Sequence, residues 1–142
     1  MKTSVIVPFY KGISFLDECF ESLAEQSYKD FEVILVCDRA EEDINPLLER
    51  YGNEFELKVI RLTDKTGVAA ARNEGLAAAT GDYVYFLDAD DYLAANTLEL
   101  LTSRASQTDA DVIYGKKIWT WFRKKVLFAN YNTDEMKEVE ED

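Results

Sequence analysis

Short runs of apolar residues recur along the chain and predict five β-strands. Residues 31–37 are apolar at nearly every position, as expected of a strand that is covered on both faces. Pro8 is expected to end the first strand, because proline has no N–H group to donate to a central ladder. The predicted strands are residues 4–7, 31–37, 57–62, 83–87 and 112–114.

Longer segments with helical periodicity lie between these runs and predict α-helices. In the first helix, Ser14 and Asp17 resemble a capping box, and the apolar residues after them fall on one face. Asn45 is expected to cap the second helix, with Pro46 in its first turn. The third helix, residues 68–79, is rich in alanine and is followed by Gly81, where a left-handed residue belongs. A fourth helix is expected from Asn96 to about residue 106.

This alternation is typical of an α/β protein with a doubly wound, mostly parallel sheet and helices on both faces. Right-handed crossovers bring every strand-to-helix loop to one edge of the sheet, where such folds bind ligands. We therefore expect the functional residues in the loops that follow the first four strands. Residues 1–115 are expected to form this domain, and residues 116–142 an aromatic and basic hairpin-like extension with a frayed acidic tail.

The charge of the chain narrows the classes of partner. Its 142 residues include 16 basic and 28 acidic side chains, which give a formal net charge of −12. Binding to nucleic acid is not expected, because it requires a basic surface that displaces counterions. An anionic ligand would need local hydrogen-bond donors or a metal ion. Histidine is absent, which excludes His-based zinc sites and Ser–His or Cys–His nucleophile pairs.

The cysteines and the N-terminal segment indicate the cellular compartment in which the protein is expected. Cys19 and Cys37 lie in apolar segments and are expected to be buried free thiols, which suits a reducing environment. The first apolar run is short and is broken by Pro8, unlike a signal peptide, and no segment has the length of a membrane span. The expected location is the cytoplasm, including the inner face of the membrane.

The strongest chemical signal is Asp88-Ala89-Asp90-Asp91, which directly follows the fourth predicted strand. If the backbone stays extended, alternation places the carboxylates of Asp88 and Asp90 on one face. Two carboxylates about 4 Å apart repel each other, so holding them together requires a cation or hydrogen-bond donors. Mg²⁺ and Mn²⁺ prefer such oxygen ligands, often together with substrate phosphates. The alternative is an acidic turn in which Asp90 or Asp91 starts the next helix.

Two further groups of residues follow the first three strands. Pro8-Phe9-Tyr10 is suited to form a partly aromatic wall, and Asp38 to accept the imide N–H of a uracil base. The alternative is a tyrosine packed on the core and an aspartate that caps a turn. Gly67 precedes the third helix, whose N-terminus can receive an anion, and Arg72 lies further along it. Arg72 could equally pair with Asp88.

Four motifs occur in order along the chain. They are an opening strand with a Pro-x-Tyr turn at residues 4–10, a helix end and an apolar strand with aspartate at residues 23–38, an Ala-Arg-Asn-x-Gly segment within residues 67–81, and an Asp-x-Asp strand at residues 82–91. Together they resemble the N-terminal, nucleotide-sugar-binding region of family-2 glycosyltransferases of the GT-A fold. The resemblance covers about residues 3–115, and four ordered motifs are far more specific than any one.

The resemblance implies transfer of a sugar from a nucleoside diphosphate sugar, with a UDP-sugar as the expected donor, to a hydroxyl group with inversion. Mn²⁺ or Mg²⁺ would bridge the diphosphate as a Lewis acid, with Asp90 and Asp88 as its ligands. The expected acceptor is a glycan or a lipid-linked molecule in polysaccharide biosynthesis. The residues implied to contact the nucleotide sugar are Pro8, Phe9, Tyr10, Asp38, Gly67, Arg72, Asp88 and Ala89.

The chain departs from the family pattern after the first two strands and in length. Lys11 stands where the family often has asparagine, and residues 39–43 replace a small turn that ends in aspartate. Family members continue into an acceptor-binding part that supplies the catalytic base, and no residue of this chain is identified as that base. The alternative function is a non-catalytic nucleotide-sugar-binding module, or a truncated fragment without the acceptor half.

Trp119 and Trp121 lie beside a basic segment. We expect them to cover a sheet edge or to form a subunit interface in a homo-oligomer, since aromatic residues dominate such contacts. The alternative is a peripheral contact with a membrane that holds a lipid-linked acceptor.

Overall fold

Four parallel strands form the central sheet. The computed structural model describes residues 1–64, 66–114 and 137–138. The strands are β1 (Thr3–Phe9), β2 (Phe31–Asp38), β3 (Glu56–Leu62) and β4 (Tyr83–Phe86). Their order across the sheet is β3-β2-β1-β4, and every pair is parallel, which confirms the predicted sheet. All four carboxyl ends therefore lie at one edge.

Within the described residues, four helices cover the two faces of this sheet. They are α1 (Ile13–Ala24), α2 (Asn45–Tyr51), α3 (Val68–Ala78) and α4 (Thr97–Thr108). On one face, Leu16 and Phe20 of α1 join the larger apolar core with alternate residues of β1 and β2. On the other face, Ala71 of α3 packs in a smaller cluster with Ile6 and Ile34. Side chains of successive strand residues point to opposite faces, so the apolar residues of β1 and β2 contribute to both clusters.

Pro8 lies within β1 and does not end it, contrary to the prediction. It pairs with Val36, and the strand continues to Phe9. On the other side of β1, the last pair with β4 is Ile6 with Phe86, and the carbonyl oxygen of Ile6 accepts the N–H of Leu87. Pro8 is two residues further along and faces the same side, beyond the end of β4. Its missing N–H therefore breaks no ladder hydrogen bond.

Gly81 is a second correction, because its φ is not among the positive values. A Cβ at this position would lie 2.7 Å from the backbone nitrogen of Ser4 and 2.8 Å from the carbonyl oxygen of Lys2. Glycine is needed here for a close approach between the segment before β4 and the start of β1. The N–H of Gly81 also donates to the Ser4 hydroxyl at 2.8 Å.

Glu32 forms a buried ionic network at the amino end of the sheet. Its side chain is fully buried, its Oε2 lies 2.7 Å from Nζ of Lys58, and its Oε1 accepts hydrogen bonds from the Ser4 hydroxyl and the Thr80 N–H, each at 2.7 Å. Burial by itself raises the pKa of Glu32, but the hydrogen bonds from Lys58, Thr80 and Ser4 outweigh it and hold the pKa well below its usual range. The network ties β1, β2 and β3 to the segment that leads into β4.

The fifth predicted strand exists but does not join the parallel sheet. It is β5 (Ile113–Tyr114), which pairs antiparallel with β6 (Lys137–Glu138) in a separate two-stranded sheet. The expected hairpin-like extension, with Trp119 and Trp121, lies outside the described residues.

The cysteines are as predicted. Cys19 and Cys37 are both buried free thiols, and burial raises the pKa of the Cys37 thiol. Within the described part of the chain, none of the helices combines the length and the hydropathy needed to cross a membrane.

Gly75 marks the closest approach of α3 to the sheet. A Cβ at this position would lie 2.4 Å from Cγ2 of Ile6, which is fully buried. Gly75→Ala is expected to lower the free energy of unfolding by about 2 kcal/mol, because overpacking outweighs the better helix propensity of alanine. Urea denaturation followed by circular dichroism measures the loss. Asn73→Ala, at an exposed position of the same helix, is the control, and an equal loss in both variants would contradict the packing argument.

Candidate functional site

The loops that follow the four parallel strands meet at the carboxyl edge of the sheet, as predicted. Tyr10 follows β1, Asp38 ends β2, Gly67 precedes α3 and Asp88 follows β4. Tyr10 and Asp88 are exposed, whereas Asp38 is buried. A shared edge of this kind is where open α/β sheets bind ligands.

Three carboxylates gather in a turn directly after β4. The N–H of Asp91 donates to the carbonyl oxygen of Asp88 at 3.0 Å, so the backbone turns here instead of staying extended. One carboxylate oxygen from each of Asp88, Asp90 and Asp91 lies within 4.8 Å of the others. The extended arrangement was therefore wrong, and the turn adds a third acid to the expected pair. The acidic turn of the alternative is therefore present, but it does not start a helix, because α4 begins only at Thr97.

The donor set of this acidic turn suits a hard divalent cation. Like charges about 4 Å apart repel by about 1 kcal/mol even in water, and a bound cation would reverse that cost. Carboxylate oxygens at a partly exposed turn leave room for phosphate and water ligands, which Mg²⁺ and Mn²⁺ retain. Beneath the turn, burial together with the charge of Asp91 raises the pKa of the Tyr85 hydroxyl.

Arg72 on α3 pairs with the acidic turn. Its Nη2 lies 3.3 Å from Oδ1 of Asp88, which confirms the pairing considered from the sequence. Its guanidinium carbon lies 5.9 Å from the centre of the Phe86 ring. The arginine places a positive charge beside the carboxylates at the point where an anionic ligand would approach.

Asp38 links the end of β2 to the start of α3. Its Oδ2 accepts the N–H of Gly67 at 2.8 Å, and its Oδ1 accepts the Nε–H of Arg39 at 3.1 Å. Gly67 has a φ of +100°, and nothing lies within 4 Å of a Cβ built on it, so backbone conformation rather than space requires glycine there. Asp38 thus also has a structural role.

The last residue of β1 is buried in the core, whereas the residue that follows it is exposed. Phe9 is 1% exposed and belongs to the apolar core, so its side chain does not line the open edge. Tyr10 is 53% exposed, and its ring is flanked by two cations: the Arg39 guanidinium carbon at 5.5 Å and the Lys11 Nζ at 5.9 Å from the ring centre. Ala89 lies half-buried in the acidic turn and packs on the core. Of Phe9 and Tyr10, only Tyr10 has a side chain that a ligand can reach.

The N-terminus of α1 is capped from a distant loop. Gly12 precedes the helix with a φ of +95°, and no side chain of the helix itself caps it. The carboxylate of Glu42 instead accepts the N–H groups of Gly12 at 2.6 Å and Ile13 at 3.1 Å. The predicted capping box of Ser14 and Asp17 is therefore wrong. Glu42 ties the β2–α2 loop to the loop that carries Tyr10, and no local sequence signal identifies it.

A family model and a curated relative both match glycosyltransferases. Residues 4–122 match the family described as Glycosyl transferase family 2. The glycosyltransferase GlyG of Streptococcus pneumoniae serotype 4 is 33% identical over 113 residues, which cover 79% of this chain and 38% of GlyG.

Several solved structures resemble this fold, among them two in complex with a nucleotide sugar. Residues 1–349 of TarS from S. aureus, in complex with UDP-GlcNAc, align with a TM-score of 0.74 and 36% identity over 78% of this chain and 33% of that one. The mannosyltransferase PcManGT from Pyrobaculum calidifontis, in complex with GDP-Man and Mn²⁺, aligns with a TM-score of 0.66 and 28% identity over 76% of this chain and 33% of that one. This chain thus spans less than half of each of these relatives.

Proposed function

The chain belongs to glycosyl transferase family 2, and from that premise we propose that it is the donor-binding part of an enzyme that transfers a sugar from a UDP-sugar to a hydroxyl group, with inversion. The observation that carries the proposal is the acidic turn beside Arg72 at the carboxyl edge of a parallel sheet. The GT-A fold expected from the motifs is confirmed by the sheet and by the likeness to TarS.

Asp90 and Asp88 are proposed to hold Mn²⁺ or Mg²⁺, with Asp91 as a third carboxylate within reach. The bound ion would stabilise the negative charge that develops on the departing nucleoside diphosphate. Arg72 keeps part of the acidic charge balanced through Asp88 and adds a cation where the diphosphate would lie. The Mn²⁺ in the PcManGT complex supports this choice of metal.

The nucleoside is proposed to bind between the loops after β1 and β2. Tyr10 offers an exposed ring on which a base can stack, with Pro8 fixing the backbone that leads to it. Asp38 would accept the N–H of the base, since a carboxylate can accept more hydrogen bonds than the two it receives from Gly67 and Arg39. The backbone around Gly67 and Ala89 would approach the ribose and the diphosphate.

The acceptor and the catalytic base are proposed to lie outside the described residues. The relatives are more than twice as long as this chain, so a further segment or partner would supply the carboxylate that deprotonates the acceptor hydroxyl. A glycan or lipid-linked acceptor in polysaccharide biosynthesis fits the proposal.

Titration calorimetry of UDP into the protein, with and without Mn²⁺, tests the donor site. Binding is expected only when Mn²⁺ is present, and EDTA should abolish it. Absence of binding under both conditions would overturn the proposed function.

The second candidate function is a module that binds the nucleotide sugar without turnover, because none of the residues that the structure describes is identified as a catalytic base. Release of free sugar from UDP-GlcNAc in the presence of Mn²⁺ separates the two. A transferase usually shows slow donor hydrolysis, whereas a binding module shows none above the protein-free rate.

A further inference from the structure

Arg39 lies in an unusual position between two residues proposed to bind the base. It has a φ of +53°, in the left-handed region that residues other than glycine rarely adopt. Its Nε donates to Oδ1 of Asp38 at 3.1 Å, and its guanidinium carbon lies 5.5 Å from the centre of the Tyr10 ring. The side chain is nevertheless 62% exposed, so a ligand can reach its amino groups.

Fold stability does not explain this arrangement. An exposed ion pair contributes little to the stability of a protein, whereas a left-handed backbone at a residue other than glycine is conformationally unfavourable. The contacts of Arg39 therefore offset only part of the conformational cost of its left-handed backbone. Strained backbone conformations of this kind are concentrated at functional sites.

We propose that Arg39 recognises the base jointly with Asp38, an inference that rests on the proposed donor site. Asp38 accepts an N–H group, and the guanidinium of Arg39 donates to the carbonyl oxygen next to it. The pair fits a base edge on which an N–H lies beside a C=O, as in uracil. In cytosine an amino group replaces the O4 carbonyl of uracil and cannot accept a hydrogen bond from Arg39, and the ring nitrogen beside it has no proton to offer Asp38. Arg39 thus favours UDP over CDP, two nucleotides of the same size.

The test compares UDP and CDP affinities by titration calorimetry in Mn²⁺ for three proteins. Arg39→Ala leaves the cost of the left-handed backbone at this position nearly unchanged, since alanine also lacks the conformational freedom of glycine. The variant is expected to lower the affinity for UDP about tenfold, with little change in the affinity for CDP. Arg50→Ala is the matched control, because Arg50 is 59% exposed, pairs with Asp17 at 3.1 Å and lies 5.2 Å from the Tyr51 ring centre. It is expected to leave both affinities unchanged.

The outcomes separate this inference from the proposed function. If the unmodified protein binds no UDP, both are overturned. If it binds UDP and Arg39→Ala lowers the UDP and CDP affinities equally, Arg39 acts on the diphosphate and base recognition is overturned. If Arg39→Ala binds UDP as tightly as the unmodified protein or more tightly, Arg39 only covers the site and the inference fails alone.

Discussion

Asp90→Asn is expected to lower the Mn²⁺-dependent affinity for UDP by about a hundredfold or more, the largest effect that we predict. Loss of outer-shell partners of metal ligands already costs about 10–100-fold, and Asp90 is proposed as a direct ligand. The substitution keeps the shape of the side chain and removes one of three carboxylates that lie within 4.8 Å of one another. Calorimetric titration of UDP at fixed Mn²⁺ measures the loss.

Thermal unfolding of the same variant provides a second measurement. Without metal, Asp90→Asn should be as stable as the unmodified protein or slightly more stable, because one like charge leaves the turn. With Mn²⁺, only the unmodified protein should gain in melting temperature, since a ligand of the folded state stabilises it by mass action. Asp111→Asn, at an exposed position before β5, removes the same charge. An equal loss of UDP affinity in that control would reduce the result to an effect of net charge.

Glu32→Gln is expected to lower the free energy of unfolding by about 3 kcal/mol at pH 7. Removing one partner of a buried ion pair costs about 3–5 kcal/mol, and the low end applies because Lys58 and Lys2 can turn to solvent. Their side chains are 36% and 29% exposed. Glu56→Gln is the control, since Glu56 also contacts Lys2 but is 51% exposed, and it should cost less than about 1 kcal/mol. Urea denaturation at several pH values measures both variants.

The sign of the pH dependence follows from the lowered pKa of Glu32 in the folded protein. In the unfolded chain a glutamate has a pKa of about 4.3, so above that value the stabilising contribution is fully present. It decreases as the pH falls below about 4.3 toward the folded-state pKa. The difference in stability between the unmodified protein and Glu32→Gln should therefore shrink on acidification. A difference that stays constant from pH 7 to pH 3 would contradict the role of the Glu32 charge.

Much of the fold could be predicted from local hydrophobic patterns in the sequence, because these patterns match the way the strands pack in the core. The continuous apolar run of β2 predicted a strand covered on both faces, and Val33 and Ile34 do belong to opposite clusters. Pro8 and Gly81 were misjudged because their roles depend on distant segments. Whether a proline is tolerated depends on where the neighbouring strand ends, and β4 lies far along the chain.

The candidate site could be read only in part. Acids at the end of β4 and a pairing of Arg72 with Asp88 were foreseen, and a turn was considered only as the start of a helix. Asp91 was not expected beside Asp88 and Asp90, because period-two alternation assumes an extended backbone. Arg39 and Glu42 were missed as contributors. Their partners Tyr10 and Gly12 lie in another loop, and only the parallel register of β1 with β2 places the two loops side by side.

The strand order also fixes the sequence in which the site can assemble during synthesis. β1, β2 and β3 come first from the ribosome and can pair, whereas β4 must join β1 from much further along the chain, as the pairing of Ser4 with Val84 shows. Closing the longer loop between β1 and β4 costs only about 1 kcal/mol more than closing the loop between β1 and β2. The pairing of β4 with β1 is therefore delayed by the late synthesis of β4 and not by this entropic cost. A nascent chain that ends after β3 would carry Tyr10 and Asp38 without the acidic turn. It would also expose one edge of β1, which is open to pairing with other chains until β4 docks.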